Sequence, residues 1–320
     1  MRILLCLVCL CAPAAAQPAG PDLPAGYSLV RDSFEAGRQP DGNSVLIETP
    51  GGVIVVDTGR HPAHQQAILE RVAELDRPIA AIVNTHWHLD HTGGNAELRA
   101  RYPEAPIIAS RAIEGALTGF LADSRRGAEA YIASGQANAA TIAEIEGDFA
   151  AMDVPDALRP TDPVTANATR TIAGRRLEVN LAPHAATEGD VWLYDPEAGM
   201  VIAGDLVVGY APFMDTACIE GWLAALDTIA AKPFRLLIPG HGAPMTRDGF
   251  DRWHRAFRRL VDCADGPAEA SACIAGWQYD AAPFLAGVGA DRIAALIGYY
   301  MQSRLRASPA ERDRYCPRGG

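Results

Sequence analysis

Short apolar runs bounded by turn residues alternate with helix-like segments over the first part of the chain. Three strands are predicted before the first helix, and the last two, at 43–48 and 53–57, flank a turn rich in Pro and Gly. A helix is predicted over residues 62–75, and the apolar run 79–83 predicts a short buried strand with another helix behind it at 96–102. This alternation of strands and helices predicts an α/β fold.

A long helical stretch separates this pattern from its continuation. Residues 111–152 repeat Ala, Glu, Ile and Leu at three-to-four spacing, which predicts one or two helices inserted between the halves of the fold. Such an insert either overhangs a site and shapes its pocket or packs as a side helix, and both interpretations stay open.

Strands and helices are also predicted beyond the insert, and the last helices form a C-terminal helical extension packed on the same domain. The predicted strands lie at 162–182 (with a turn at 173–174), 191–194, 200–203 and 234–238. The predicted helices lie at 220–231 and around 247–263, 268–276 and 290–306.

The N-terminus has the pattern of a secretory signal. Arg2 precedes the apolar run 3–11, and the small residues 14–16 favour cleavage after Ala16. The run is too short to span a bilayer. We therefore predict a signal peptide at 1–16, a periplasmic or secreted mature protein, and no membrane insertion.

The charge pattern disfavours one class of partner. The formal net charge is −11, and no Lys/Arg run is dense enough to follow a phosphate backbone. The most basic stretches are 170–176 and 252–259, and the second has the spacing of a solvated helix face. A nucleic-acid partner and a nuclease function are therefore disfavoured, and a small-molecule substrate is expected.

Three of the eight histidines lie in one short stretch. His86, His88 and His91 stand with Asp90 between the predicted buried strand and the next helix, where α/β proteins place their chemistry. Imidazole and carboxylate donors suit zinc better than a metal that prefers thiolates. A surface loop that is His-rich by chance is the alternative, and it does not explain this concentration.

The His-x-His-x-Asp-His pattern at 86–91 resembles the signature of the metallo-β-lactamase superfamily. Asp57, in a Val-Val-Asp-Thr-Gly motif, resembles the strand-end Asp of that family, and the whole resemblance covers roughly residues 43–242. Three more motifs follow in the order of the family: Ala-Pro-His at His184, Ala-Gly-Asp-Leu at Asp205 and Pro-Gly-His-Gly at His241.

The resemblance implies a four-layer αβ/βα metallo-β-lactamase sandwich. The domain is expected at 17–246, with the helical insert at about 111–152 and the helical extension at 247–320. Asp57 is expected to support the metal loop through hydrogen bonds. The implied ligands of two zinc ions are His86, His88 and His184 for the first ion, Asp90, His91 and His241 for the second, and Asp205 for both.

Two zinc ions held in this way imply a hydrolase, and the predicted signal peptide implies that it is secreted or periplasmic. A hydroxide bridging the ions would attack the carbonyl of an ester, lactone, thioester or amide, and Asp90 would manage the proton as the leaving group departs. Asp90 and Asp205 are thus the predicted catalytic carboxylates. Class B β-lactamases of the family usually carry Cys or Ser where Asp205 stands, so a β-lactamase is the alternative rather than the first prediction.

Other functions of the same fold stay open. The family includes iron oxidoreductases, and Asp and His also suit iron or manganese. An iron-dependent redox or sulfur-handling enzyme, or a metal-binding accessory protein without turnover, is therefore a second alternative. Residues 213–222 and the Cys-bearing tail resemble the secreted zinc metallohydrolases of quinoprotein relay systems, which implies an association with periplasmic quinoprotein dehydrogenases.

Four cysteines follow the predicted signal peptide, and an even count in an oxidising compartment favours disulfides. Cys263 and Cys273 are close in sequence and separated by an Asp-Gly-Pro turn, so they are predicted to pair and join two helices. Pairing of Cys218 with Cys316 stays open. A thiolate metal ligand is disfavoured because the implied His/Asp set is complete.

The remaining histidines are weaker candidates. His61 and His64 are predicted at the surface, with one of them at the mouth of the site as the alternative, and His254 is predicted at the surface. Three aromatic residues either line the substrate pocket or pack in the core: Trp87, Tyr210 and Phe213.

Overall fold

The structure, a computed structural model, describes residues 20–35 and 37–317, so the predicted signal peptide lies outside the described residues. The chain divides into two units, Gly26–Thr165 and Ala166–Gly320, and the described residues 20–25 belong to the second. Within the described part, no helix combines the length and apolar character needed to cross a membrane.

The first unit is built on a mixed sheet of six strands, which lie in sequence order. These strands are β1 (Tyr27–Val30), β2 (Ser44–Thr49), β3 (Gly52–Val56), β4 (Ile79–Val83), β5 (Ile107–Ala109) and β6 (Asp162–Pro163). The first three pair antiparallel, whereas β3 to β6 run parallel. The carboxyl ends of β3 and β4 therefore meet at one edge of the sheet, which is where the polar motifs follow both strands.

The hydrophobic residues of β3 explain why this strand lies in the centre of the sheet. All five residues of β3 are buried, and its run of Val and Ile is typical of a parallel strand covered on both faces. The predicted hairpin is confirmed, with Thr49 paired to Gly52 across a two-residue turn. Ile68 and Val72 of the following helix pack into the same core as Val53 and Val55.

Helices of the first unit connect its parallel strands. They are α1 (Pro62–Glu74), α2 (Leu89–Thr92), α3 (Asn95–Arg101), α4 (Ala112–Thr118), α5 (Phe120–Ala133), α6 (Ala139–Met152) and α7 (Pro155–Leu158). The prediction of one or two inserted helices was wrong, because 112–152 holds three helices broken near Gly119 and residues 134–138. The insert also connects β5 to β6 inside this unit and does not link two halves of the fold.

The second unit is built on another sheet of six strands, ordered β12-β11-β10-β9-β8-β7. Its strands are β7 (Ala168–Ile172), β8 (Arg175–Pro183), β9 (Gly189–Asp195), β10 (Met200–Val208), β11 (Leu236–His241) and β12 (Met245–Thr246). The helix α8 (Ile219–Ala230) crosses between β10 and β11, which is why these two strands are parallel while the other pairs are antiparallel.

The predicted C-terminal helices are present in the second unit, in the form of α9 (Arg247–Asp265), α10 (Ala270–Asp280) and α11 (Ala290–Tyr300). A π-helical turn (Met301–Leu305) and the short α12 (Pro309–Arg312) follow and were not predicted. Two indole N–H groups hold the extension to β10 and to the segment after it: Trp253 donates to the carbonyl of Val208, the last residue of β10, at 2.8 Å, and Trp277 donates to Tyr210 O at 3.1 Å.

Both possible disulfides form in the second unit. Cys263 pairs with Cys273 and joins α9 to α10, as predicted, and Cys218 pairs with Cys316. The bonds close chain segments of very different length, with sequence separations of 10 and 98 residues. Two disulfides are typical of proteins that fold in an oxidising compartment.

Because the two disulfides close loops of different length, we predict that they contribute unequally to the stability of the protein. Cross-linking restricts the unfolded chain more when the closed loop is longer, by about 3 kcal/mol for the short loop and about 4–5 kcal/mol for the long one. We expect urea unfolding to show a larger loss for Cys218→Ser/Cys316→Ser than for Cys263→Ser/Cys273→Ser. Equal losses, or the reverse order, would contradict this estimate.

Candidate metal centre

Asp57 connects the ends of two parallel strands in the first unit. Its backbone, directly after β3, has a φ of +62°, which Asp tolerates better than most side chains. The carboxylate is buried and accepts hydrogen bonds from Thr85 N at 2.8 Å, Thr85 Oγ1 at 2.7 Å and His91 Nδ1 at 2.8 Å. Asp57 thus supports the histidine-rich loop through hydrogen bonds, as the sequence predicted.

Burial raises the pKa of Asp57 above its usual range, although His91 and the hydrogen bonds from Thr85 act in the opposite direction. Desolvation therefore penalises the charged carboxylate at this position. A cation bound by the His91 ring would favour the charged form, so the environment of Asp57 fits a metal at His91.

The histidine-rich loop follows β4 and brings its four predicted ligands together. The His86 ring lies 4.5 Å from the His88 ring and 4.2 Å from the His91 ring, between centroids. His91 Nε2 is 3.7 Å from Asp90 Oδ2, and both side chains are buried. Because Asp57 binds Nδ1 of His91, the Nε2 atom is the one directed toward Asp90.

A network of buried amides and hydroxyls holds the backbone of this loop. The His91 carbonyl accepts hydrogen bonds from Asn84 Nδ2 at 3.2 Å and from Thr58 N at 2.8 Å. Asn95 Oδ1 accepts from Thr58 Oγ1 at 3.0 Å and from Asn84 Nδ2 at 3.1 Å. Asn84 and Asn95 were not among the predicted site residues, although both flank the His-rich motif.

Arg60 links the helical insert to Asp90. Its guanidinium pairs with Asp148 of α6 and lies 3.7 Å from Asp90 Oδ1. Burial acts to lower the pKa of Arg60, but Asp148 and Asp90 outweigh it and raise that pKa. The charged guanidinium therefore orients the Asp90 carboxylate, a role that sequence reasoning missed even though Arg60 directly follows the Asp-Thr-Gly motif.

The prediction that His61 and His64 lie at the surface was wrong, because both are buried. His61 Nδ1 is 2.8 Å from Asp41 Oδ2, and His61 Nε2 is 2.8 Å from Glu144 Oε2 of α6. His64 Nε2 is 2.8 Å from Ser44 Oγ. These partners are distant in sequence, so the spacing of the histidines alone did not reveal their burial.

Trp87 packs in the core. Its side chain is buried in an apolar cluster with residues of α4, α5 and α7, and its ring lies 5.4 Å from the Phe120 ring. Phe120 also lies 6.3 Å from the His88 ring. The insert thus covers the His-rich loop with α5 and contacts Arg60 and His61 with α6.

In the second unit, Asp205 and His241 come together on neighbouring parallel strands. His241 Nε2 is 3.5 Å from Asp205 Oδ1, and both side chains are buried. Gly240 permits this approach, because a Cβ at that position would lie 2.0 Å from Asp205 Oδ1. Two of the three ligands predicted in this unit, Asp205 and His241, therefore lie side by side.

His184 directly follows β8 with a φ of +51°. Its Nδ1 donates a hydrogen bond to the carbonyl of Tyr315 at 2.9 Å. Gly221 lies against its backbone, since a Cβ there would be 1.9 Å from His184 O. The Tyr315 contact, made 131 residues away along the chain, was not predicted.

The other aromatic and histidine candidates are also placed by the structure. Phe213 is half-buried with its ring 5.3 Å from that of His241, whereas Tyr210 is fully buried. The surface prediction for His254 was wrong: the side chain is buried, its ring lies 5.6 Å from that of Phe250, and its Nε2 accepts a hydrogen bond from Arg258.

The donors present fit zinc. They are imidazole nitrogens and carboxylate oxygens, the ligand types that zinc takes in hydrolytic sites. Ligating histidines usually have their second ring nitrogen hydrogen-bonded to a carboxylate or a carbonyl. His91 has Asp57 in this position and His184 has the carbonyl of Tyr315.

Comparison with protein families decides the affiliation of this chain. The model of the metallo-β-lactamase superfamily matches residues 37–241. The chain belongs to the metallo-β-lactamase superfamily. The match includes the His-rich loop, Asp57, His184, Asp205 and His241, so the resemblance to this superfamily expected from the sequence is confirmed.

Curated relatives of this superfamily member carry hydrolase names. A linear primary-alkylsulfatase from Pseudomonas sp. is 26% identical over 221 residues, which is 63% of this chain and 41% of the relative. A hydroxyacylglutathione hydrolase from Synechococcus sp. is 29% identical over 173 residues, which is 54% of this chain and 52% of the relative. The chain thus spans about half, or less, of these relatives. The names of these relatives agree with the prediction of a hydrolase, which for this chain stays a prediction.

Solved structures show the fold. A metallo-β-lactamase family protein from Thermus thermophilus aligns with a TM-score of 0.55 at 19% identity, covering 86% of this chain and 93% of that chain. A double mutant of a sec-alkyl sulfatase aligns with a TM-score of 0.53 at 16% identity, covering 81% and 47%. The predicted metallo-β-lactamase sandwich fold with C-terminal helices is confirmed.

The role of Asp57 predicts the effect of an isosteric substitution. Asp57→Asn keeps a side chain that tolerates positive φ but exchanges one acceptor oxygen for an NH₂ group, so His91 or Thr85 loses its acceptor. We expect metal affinity to fall about 10–100-fold with an unchanged circular dichroism spectrum. The matched control is Asp76→Asn, since Asp76 also has a positive φ but is exposed at the end of α1. Equal metal affinity in both variants would refute the supporting role of Asp57.

The contacts of His61 predict that docking of α6 depends on pH. Burial acts to lower the pKa of His61, but hydrogen bonds to Asp41 and Glu144 outweigh it and raise that pKa. Protonated His61 therefore stabilises the docked helix, and this contribution is lost as pH rises through the raised pKa. Hydrogen exchange of α6 amides, corrected for intrinsic rates, should show lower protection at about pH 9 than at about pH 6.

The control for this prediction is Glu144→Gln. Because the variant lacks the charge on α6 that faces His61, its α6 protection should change less over the same pH range. An α6 protection that is independent of pH in the wild-type protein would contradict the prediction.

Proposed function

We propose that this protein is a dinuclear zinc hydrolase that acts on a carbonyl substrate. The proposed ligands of the first ion are His86, His88 and His184; those of the second are Asp90, His91 and His241; Asp205 binds both. The observation that carries the proposal is the pairing of Asp205 with His241, buried on adjacent parallel strands in a member of the metallo-β-lactamase superfamily.

When bound, the two ions supply a water nucleophile that is active near neutral pH and polarise the substrate oxygen under attack. The protein's own groups orient the ligands and handle the proton. Asp90 is the proposed proton carrier toward the leaving group, and its carboxylate is held by the Arg60 guanidinium. Phe213, half-buried next to His241, is the proposed apolar wall for the substrate.

The substrate class is proposed as an ester, lactone, thioester or amide. An Asp at position 205 favours thioesterase or lactonase chemistry over a specialised β-lactamase, in which Cys or Ser is usual. One group of relatives is named for the hydrolysis of hydroxyacylglutathione, which is a thioester. Hydrolysis of β-lactams stays as the alternative function, and iron-dependent chemistry as the second alternative.

We propose a periplasmic or secreted location. Two disulfides in the second unit support an oxidising compartment, and the N-terminal pattern supports export. An association with periplasmic quinoprotein dehydrogenases stays a prediction that follows from the resemblance of residues 213–222.

The proposal is tested by metal analysis followed by a substrate panel. We expect two zinc ions per chain and turnover of a thioester or a lactone, with slower turnover of a chromogenic cephalosporin and of an alkyl sulfate. Cephalosporin as the fastest substrate would make the protein a β-lactamase. An alkyl sulfate as the fastest substrate would refute carbonyl specificity, and iron in place of zinc would refute the hydrolytic assignment.

A single substitution tests the ligand set. Asp205→Asn replaces a charged bridging oxygen by an amide, so we expect loss of about one zinc equivalent and of most activity. The control is Asp195→Asn, because Asp195 is a buried carboxylate of the same sheet that pairs with Arg175. Full zinc content in Asp205→Asn would remove Asp205 from the set.

A further inference from the structure

The segment that follows α12 contacts His184. After α11 the chain passes through the π-helical turn and α12, and the Tyr315 carbonyl then accepts the hydrogen bond from His184 Nδ1 at 2.9 Å. We call residues 313–317 the C-terminal tail. A main-chain oxygen of this tail therefore determines which nitrogen of the His184 ring carries the proton.

A disulfide fixes the tail beside His184. Cys316, the residue after Tyr315, is bonded to Cys218. Cys218 precedes α8, and its backbone N–H donates to the Ala185 carbonyl at 2.9 Å. The covalent bond thus attaches the tail to a residue that is itself hydrogen-bonded to the neighbour of His184.

Arg304 supports the tail from the other side. Its side chain is buried, its guanidinium lies 5.0 Å from the centroid of the Tyr315 ring, and Nη1 donates to the Glu311 carbonyl at 3.1 Å. Cys316 N also donates to Asp313 O at 3.0 Å. The tail is therefore an ordered element held by a cation–π contact, hydrogen bonds and a disulfide.

The main chain of His184 is held in place by its contacts, whereas its ring can still rotate about the side-chain bonds. Its N–H donates to Glu188 O at 3.2 Å, and Gly221 closely approaches its carbonyl. With the main chain packed in this way, the acceptor at Nδ1 decides how the ring is turned. A carbonyl acceptor at Nδ1 leaves Nε2 as the nitrogen able to bind a metal.

We propose that the C-terminal tail is a positioning element for the metal ligand His184, with the Cys218–Cys316 disulfide holding the Tyr315 carbonyl against Nδ1. This inference rests on the proposed function, because it takes His184 as a zinc ligand. It assigns to one disulfide a role in metal binding that the other disulfide does not share.

Two variants and a matched control test the proposal. The first variant is Cys218→Ser/Cys316→Ser, which keeps every tail residue, and the second ends the chain after Arg314. The control is Cys263→Ser/Cys273→Ser, which removes the disulfide between α9 and α10. Zinc content and dissociation constants are measured by chelator competition on folded protein.

We expect both tail variants to bind one of their two zinc ions about 10–100-fold more weakly, while the other ion and both ions of the control keep wild-type affinity. A general loss of protein stability would weaken the binding of both ions equally. Weaker binding of one ion alone therefore separates a positioning role from destabilisation. Wild-type affinity for both ions in either folded tail variant would overturn the proposal, as would equal weakening of both ions.

A second readout does not depend on bound metal. In the metal-free wild-type protein, NMR should show the His184 Nδ1 proton protected from exchange, and the protection should be lost in the tail variants but kept in the control. Persistence of that proton signal without the tail would overturn the positioning role. If the wild-type protein binds no zinc although the Nδ1 proton behaves as expected, the proposed function fails while the contact itself holds.

Discussion

The Asp57 carboxylate is the constraint on which the histidine-rich loop depends. It stands at the end of β3 in a positive-φ conformation and holds both the backbone N–H of Thr85 and the ring of His91. Its burial makes the charge costly unless positive charge lies nearby, so the same feature that orders the loop also favours a cation beside it. One side chain at the carboxyl ends of the parallel strands therefore both orders the loop and favours a bound cation.

The proposed ligands His91 and His184 are oriented in the same way, each by an acceptor at its Nδ1 atom. A ring nitrogen of His91 is held by a carboxylate in the first unit, and a ring nitrogen of His184 is held by a main-chain carbonyl in the second. Each acceptor belongs to an element remote from its histidine in sequence, which makes ligand geometry a product of tertiary structure. The helical insert contributes in a similar way, because Asp148 of α6 pairs with Arg60, and the Arg60 guanidinium lies beside the Asp90 carboxylate.

Local patterns in the sequence predicted what short-range physics determines. The His-rich motif, the strand ends at Asp57 and His241, and the pairing of Cys263 with Cys273 depend on residues close in the chain or on a family signature. The burial of His61 was mispredicted, because it depends on a partner brought close only by folding, Glu144 of α6. The Tyr315 carbonyl could not be predicted at all, since a main-chain acceptor has no sequence signature.

The central claim is that these side chains hold two zinc ions, and anomalous scattering at the zinc edge from crystals of the zinc-loaded protein tests it most directly. The account predicts two peaks about 3.5–4 Å apart, with Asp205 contacting both. The predicted partners are His86, His88 and His184 for one peak and Asp90, His91 and His241 for the other. A single peak, or peaks bound by other side chains, would contradict it.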